Sequence, residues 1–311
     1  MGVNTPFFTA IAYALLEQRG IGPVRANSIL NMWVHMSTDP KVSDLAKHAK
    51  IDLEKFERSV KKWLKDIDRL RQDQRIGFLG ISDPRYPKSL REVLGKSAPP
   101  VLSYIGNPGL LNGFGVGFCG SRNASVKGLN VASMTARDLA RAGAIVVSGY
   151  ARGVDLEAHV ASLEAGGRTI LVLAEGIMNF RRTKLESNLG ININYEKVLV
   201  ISEFLPYDKW SVSRAMQRNK TIIALSKALI VIEASKTGGT IEAGKAALKL
   251  GVPVFAALYG QDQDKWSEGN RLLFEMGARK FGRLPNSDLP NTTVILDTIY
   301  KNRYNNQKKL L

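Results

Sequence analysis

Three short strings carry the residue types that hold phosphate: Gly120-Ser121-Arg122, Gly149-Tyr150-Ala151-Arg152-Gly153-Val154-Asp155 and Ala234-Ser235-Lys236-Thr237-Gly238-Gly239-Thr240. Glycine removes the side chains that would keep backbone amides from an anion, and Arg122, Arg152 and Lys236 add full charge. Arg218-Asn219-Lys220 adds two more cations and an amide. Any one string is ordinary turn chemistry or a solvated surface, but three of them, each following an apolar run, predict a composite anion or nucleotide site. Asp155 and His159 stand four residues apart, one helical turn, which is the spacing of an acid-base pair. No third partner is visible for such a pair. The simpler reading has Asp155 capping or orienting the Arg152 loop while His159 packs beneath it.

Other chemistries are excluded by what the chain lacks. It has neither a Ser-His-Asp nucleophile arrangement nor the spacing of a Walker A loop. Cys119 is the single cysteine, and His35, His48 and His159 lie far apart, so no disulfide framework, zinc site or other metal is expected. No cofactor is expected either. The N-terminus has no basic region ahead of its short apolar stretch, and no run of about 18 apolar residues occurs, so a cytoplasmic, reduced protein with no membrane segment is expected. Lys and Arg total 44 against 28 Asp and Glu, a formal charge of +16 spread along the whole chain. Such a surplus points to a polyanionic partner.

The elements that position these strings are legible as an alternation. Apolar runs at 116–119, 144–148, 169–173, 198–202, 228–233 and 252–258 are separated by helical patterns at about 127–141, 154–165, 211–226 and 240–250. This predicts an α/β fold, a Rossmann-like, doubly wound, mostly parallel sheet. Ligands in such sheets bind outside the carboxyl ends of the strands, where the three strings fall. Ahead of the core, residues 8–35 have helical spacing broken once at Gly20-Ile21-Gly22-Pro23. That break fits a helix-hairpin-helix whose glycines admit a phosphate, and equally a helix end followed by a helix-starting proline. Residues 43–70 read as a helix with a solvated basic face. The expected domains are therefore a small helical (helix-hairpin-helix or SAM-like) domain at 1–72, a linker and lead-in at 73–105, the core at 106–290 and a short basic tail at 291–311.

Several motifs then fall in a recognisable order: Tyr86-Pro87-x-x-Leu90, Gly120-Ser121-Arg122, Ser148-Gly149-x-Ala151-Arg152-Gly153-x-Asp155-x-x-Ala158-His159, Ser202-Glu203, Arg218-Asn219-Lys220, Gly269-Asn270 and Gly277-Ala278. Over residues 80–280 the sequence resembles the DNA-processing protein A (DprA/Smf) family. The resemblance implies a non-enzymatic protein that binds single-stranded DNA in a basic pocket, protects it and hands it to a RecA-type recombinase. It also implies DNA recombination or natural transformation as the setting and a homodimer formed through the core. By position, Gly120, Ser121, Arg122, Gly149, Arg152, Gly153, Arg218, Asn219, Lys220, Lys236, Thr237, Gly238 and Gly239 would contact DNA or phosphate, with Asp155 and His159 in structural or orienting roles.

The chain also departs from that family. Where members have Ser-Gly-Ser-Leu-Ile-Thr-Ala, it has Thr237-Gly-Gly-Thr240-Ile-Glu242-Ala, which places a carboxylate beside the pocket. Lys220 replaces an arginine, losing bidentate geometry while keeping charge. The tail is too short for the winged-helix domain that many members append. Gly238-Gly239-Thr240-Ile-Glu242 further resembles the glycine signature of lysine-decarboxylase-like phosphoribohydrolases, so the alternative is a nucleotide sensor, or an enzyme in which Glu242 cleaves nucleoside monophosphates.

Overall fold

The computed structural model describes residues 5–36, 41–190, 193–258 and 268–307. Two units divide the chain. The first takes the chain up to Ile105 together with Glu175–Phe180 and Ile201–Trp210, and the second takes Gly106–Ala174, Arg181–Val200 and everything from Ser211 onward.

In the first unit, apolar residues at helical spacing build α1 (Thr5–Leu16), α2 (Pro23–Met36), α3 (Val42–Ala49) and α4 (Leu53–Gln74). Gly20, at φ 80°, turns the chain between α1 and α2, and Pro23 starts α2, where its missing N–H costs nothing. Helix α4 buries Phe56, Val60, Trp63, Ile67 and Leu70 along one stripe, and Asp52 caps it by accepting from the Lys55 amide. Residues 73–105, expected as a linker, instead carry β1 (Gly77–Gly80), α5 (Lys88–Leu94) and β2 (Val101–Gly106), with β1 and β2 paired antiparallel. The prolines there punctuate structure and do not dissolve it. Tyr86 is fully buried, and its hydroxyl donates to the Pro99 carbonyl at 2.8 Å, tying the two breaker-rich stretches together.

The second unit runs β3 (Gly115–Gly120), α6 (Val126–Arg141), β4 (Ile145–Ser148), α7 (Val154–Glu164), β5 (Arg168–Val172), α8 (Arg182–Leu189), β6 (Val198–Ser202, its last two residues counted with the first unit), α9 (Val212–Ala224), β7 (Leu229–Ile232), α10 (Gly239–Lys249), β8 (Val254–Ala257), α11 (Glu268–Glu275), β9 (Arg279–Phe281) and α12 (Thr293–Gln307). Its strands lie in the order β6-β5-β4-β3-β7-β8-β9. The registers of β3 with β4 and β7, of β4 with β5, and of β8 with β7 and β9 are all parallel. Residues of β4, β6, β7 and β8 are buried along their whole length, as strands covered on both faces must be. The Rossmann-like, mostly parallel architecture is the one the alternation predicts. The chain winds away from β3 in one direction through β4 to β6 and in the other through β7 to β9. A switch point therefore lies at the carboxyl ends of β3 and β7.

The expected tail is in part structural. Ile295 and Ile299, four residues apart on α12, are buried with Phe255 and Phe281 in the core, and Tyr300 stacks on Phe114 with ring centroids 5.4 Å apart. A helical spacing of apolar residues inside a basic segment was the available signal. Residues 308–311 of the expected tail lie outside the described residues.

Candidate nucleic-acid interface

Because β4, β3 and β7 are neighbours, the three glycine-bearing strings end at adjacent points of one sheet edge. Hydrogen bonds lace them together. The Ser121 amide donates to the Ile232 carbonyl at 3.3 Å, the Val154 amide to the Ser121 carbonyl at 3.3 Å, and Arg152 Nη2 to Asn123 Oδ1 at 2.7 Å. Arg122, Arg152 and Lys236 are exposed on these loops, and Lys220 is exposed on α9 with Asn219 half-buried beside it. Thr237, Gly238 and Gly239 are exposed, whereas Ser121 and Gly120 are partly covered.

Arg218 is placed differently from its neighbours. It is 8% exposed, and its Nη1 donates to the Val172 carbonyl at 2.8 Å. A side chain on Gly149 would collide with the Arg218 guanidinium and lie 2.5 Å from Asp155 Oδ2, so both charged groups pack over that glycine. Asp155 is 9% exposed and accepts from the Ala151 amide at 3.4 Å. Burial raises its carboxyl above the usual range, partly opposed by the Arg218 charge and by hydrogen bonds from Ser148 and Ala151. Arg218 thus faces inward as a countercharge. Helical position explains this: with Lys220 turned to solvent on α9, a residue two places earlier points to a different side.

His159 is fully buried. Its Nε2 lies 2.7 Å from the Gly149 carbonyl, which can only accept, so the ring proton sits on Nε2. Nδ1 lies 2.6 Å from the Thr169 hydroxyl, which is also 2.9 Å from the Val146 carbonyl. Burial pushes the imidazole down to about 4, keeping it neutral. This geometry ties β4, α7 and β5 beneath the Arg152 loop and gives neither Asp155 nor His159 a route to an external substrate. Burial likewise raises the Cys119 thiol far above the range in which a thiolate forms.

The glycines divide into two kinds. Gly149 is filled by Arg218 and Asp155, and Gly153, at φ 83°, abuts the Ser121 and Arg122 carbonyls, so these two admit protein and not ligand. At Gly238 and Gly239 a side chain would meet nothing within 4 Å. Gly238, at φ 108°, precedes α10 with no side-chain cap, which leaves the positive start of an 11-residue helix open beside Lys236. Lys236 Nζ lies 3.3 Å from the Glu268 carboxylate in an exposed pair, an arrangement that phosphate can readily exchange into. Glu242 is half-exposed, and its carboxylate accepts from Lys245 Nζ at 2.8 Å, so its charge is met on its own helix.

Two residues that shape the site carried no such role in the sequence. Glu233, at the end of β7, is 3% exposed and stands in the left-handed region at φ 53°. Its carboxylate accepts from the Ser125 amide at 2.8 Å and from the Ser125 hydroxyl, and it lies against Gly128. The start of α6, at the switch point where Rossmann folds hold a pyrophosphate, is therefore filled by the chain's own anion. Asn270 is 1% exposed; its Oδ1 accepts from the Ala234 amide at 3.0 Å and its Nδ2 donates to the Ala257 carbonyl at 2.9 Å, which latches α11 under the Lys236 loop. A glutamate closing an apolar strand run was the only sequence signal for the first. For the second it was the Gly269-Asn270 motif itself.

The fold is that of a Rossmann-like protein whose glycine-bearing loops and helix starts gather at the strand ends. Among the described residues no group of three or more His, Cys, Asp or Glu could hold a metal ion, and no helix is long and apolar enough to cross a membrane. The chain belongs to the DNA recombination-mediator protein A family, whose model matches residues 77–286. It is 32% identical over 210 residues to DNA processing protein DprA of Bacillus subtilis, covering 67% of this chain and 69% of that one. It is also 32% identical over 209 residues to the Streptococcus pneumoniae protein of the same name, covering 66% and 71%. Among solved structures, DNA processing protein A from Streptococcus pneumoniae superposes with a TM-score of 0.73 at 26% identity, over 90% of this chain and 95% of that one. The Helicobacter pylori protein, described for its single-stranded DNA binding mode, gives 0.56 at 25% identity over 66% and 90%.

Proposed function

We propose that the protein binds single-stranded DNA, with little sequence preference, along the strand-end edge of its second unit. Arg122, Arg152, Lys220 and Lys236 contact phosphates, Asn219 and Thr237 donate to them, and the amides at Gly238 and Gly239 receive a phosphate at the start of α10. The observation that carries this reading is the open start of α10 beside exposed Lys236, set against the start of α6, which Glu233 fills. Arg218, Asp155 and His159 hold the loops, and Gly120, Ser121, Gly149 and Gly153 let them pack. A flexible single strand can follow such a set of loops, whereas nothing in it reads base edges. Protection of the strand, its transfer to a RecA-type recombinase and a core-to-core homodimer are drawn from family membership. Nothing at Glu242 favours an enzyme, since its partner is Lys245.

Fluorescence anisotropy with labelled oligonucleotides across a salt series tests the reading. With roughly four to six phosphates engaged, log affinity should fall against log salt with a slope of about −3 to −4. Arg122→Ala, Arg152→Ala and Lys236→Ala should each reduce that slope by about 0.7, while Lys61→Ala, on the exposed face of α4, should not. A flat salt response, or tighter binding to blunt duplex, rejects the proposal. Recombinase loading on the bound strand and sedimentation of the free protein test the two remaining parts.

A further inference from the structure

We propose that Glu268 is an internal competitor for the bound strand: its carboxylate holds Lys236 where a phosphate is to sit, and so sets how tightly the strand is kept and how readily it is let go. This role rests on the strand-end binding proposed above. Lys236 Nζ lies 3.3 Å from Glu268 Oε1, and the two side chains are 64% and 39% exposed, so the pair is open to a ligand.

The chain around Glu268 fixes it there. It is the first residue of α11, and the two residues after it bind the Lys236 loop directly. The Gly269 amide donates to the Ala234 carbonyl at 2.9 Å, and Asn270 Oδ1 accepts from the Ala234 amide at 3.0 Å. A side chain on Gly269 would lie 2.3 Å from the Ser235 carbonyl oxygen and 2.5 Å from that of Ala234, so α11 can start this close to the loop only with glycine there. The carboxylate is thus tethered one residue from the contact that joins α11 to the loop, which keeps its effective concentration at Lys236 high. Glu242, in the first turn of α10, is met by Lys245 instead.

A carboxylate and a phosphate offer an ammonium group the same kind of charge-assisted hydrogen bond. When the strand arrives, Lys236 exchanges one such bond for another; when the strand leaves, Glu268 takes the lysine back. An exposed pair of this kind favours its partners by about two- to fivefold. Glu268 therefore trims the hold on the strand and does not block it.

A double-mutant cycle, read by fluorescence anisotropy of a labelled single-stranded oligonucleotide with the full chain, tests the proposal. Glu268→Gln keeps the shape and loses the charge, and should tighten binding by about two- to fivefold with Tm unchanged. Glu268→Ala should do the same. In a Lys236→Ala background the gain should disappear, because the two residues act through one another. Glu164→Gln removes the same formal charge from the Arg137 pair, at the opposite end of α7 from the Arg152 loop, and should give no gain. Binding that neither Glu268 variant tightens, a gain that persists undiminished without Lys236, or an equal gain in Glu164→Gln overturns the competitor and leaves the strand-end reading standing. Absence of single-strand binding by the unsubstituted chain overturns both.

Discussion

Removing the Arg218 guanidinium leaves the Asp155 carboxylate buried without its countercharge and the Val172 carbonyl without its donor. Arg218→Ala is therefore expected to destabilise the fold by about 3–5 kcal/mol, whereas Arg122→Ala, at an exposed loop position, should change stability by no more than about 0.5 kcal/mol. Urea unfolding of both variants checks this, and equal, small effects would refute the inward role of Arg218. A pH dependence follows from His159, whose folded value of about 4 lies below the ordinary 6.5. Between those values the unfolded chain binds a proton that the folded chain does not, so stability is full above 6.5 and falls as pH drops toward 4, by about 3 kcal/mol in all. Asp155 opposes this: burial raises its folded value above the unfolded one, so for this group the folded chain holds the extra proton. His159→Gln should remove the His159 loss and leave only the opposing trend, with Arg218 still facing the site; an unchanged profile in the variant would rule out His159 as the cause. The sequence reading takes Asp155 and His159 as supports because a pair without a third partner has no catalytic relay, and the structure buries both of them. It could not separate Arg218 from Lys220, since which of two nearby cations faces the core depends on how α9 lies against β5.

At the level of elements, the loops that start α7 and α10 look alike in sequence and differ in what surrounds them. Gly153→Ala forces a side chain into the Ser121 carbonyl at a left-handed φ, so it should lower stability by roughly 1–3 kcal/mol. Gly239→Ala meets open space within a helix and should leave Tm unchanged or higher, while weakening DNA affinity by crowding the phosphate approach. Thermal unfolding and anisotropy measured together separate the two outcomes, and loss of stability in Gly239→Ala would contradict an open α10 start. The alternation of strands and helices was legible from β3 to β8 because buried parallel strands are continuous apolar runs. Strand β9, with the sequence Arg279-Lys280-Phe281, offers no such run and is held by its register with β8. Strands β1 and β2 were hidden by the prolines between them, whose role as turns depends on the Tyr86 to Pro99 hydrogen bond.

At the scale of the whole molecule, the first unit is completed by segments that come late in the chain. Ile177, Phe180, Ile201 and Phe204 are buried in it, and the Ser103 hydroxyl donates to the Ser202 carbonyl at 3.2 Å. Each of those side chains contributes about 1.5–3 kcal/mol on burial, in total about as much as the whole net stability of a small domain. A fragment ending at Ile105 should therefore lack the near-ultraviolet circular dichroism of a packed core, and native-like packing in that fragment would disprove the dependence. The same interleaving bears on descent. A crossover between two related genes that falls anywhere from residue 106 to residue 200 joins the early part of the first unit to at least one late segment of foreign ancestry, so such a chimera should pack its first unit less well than either parent.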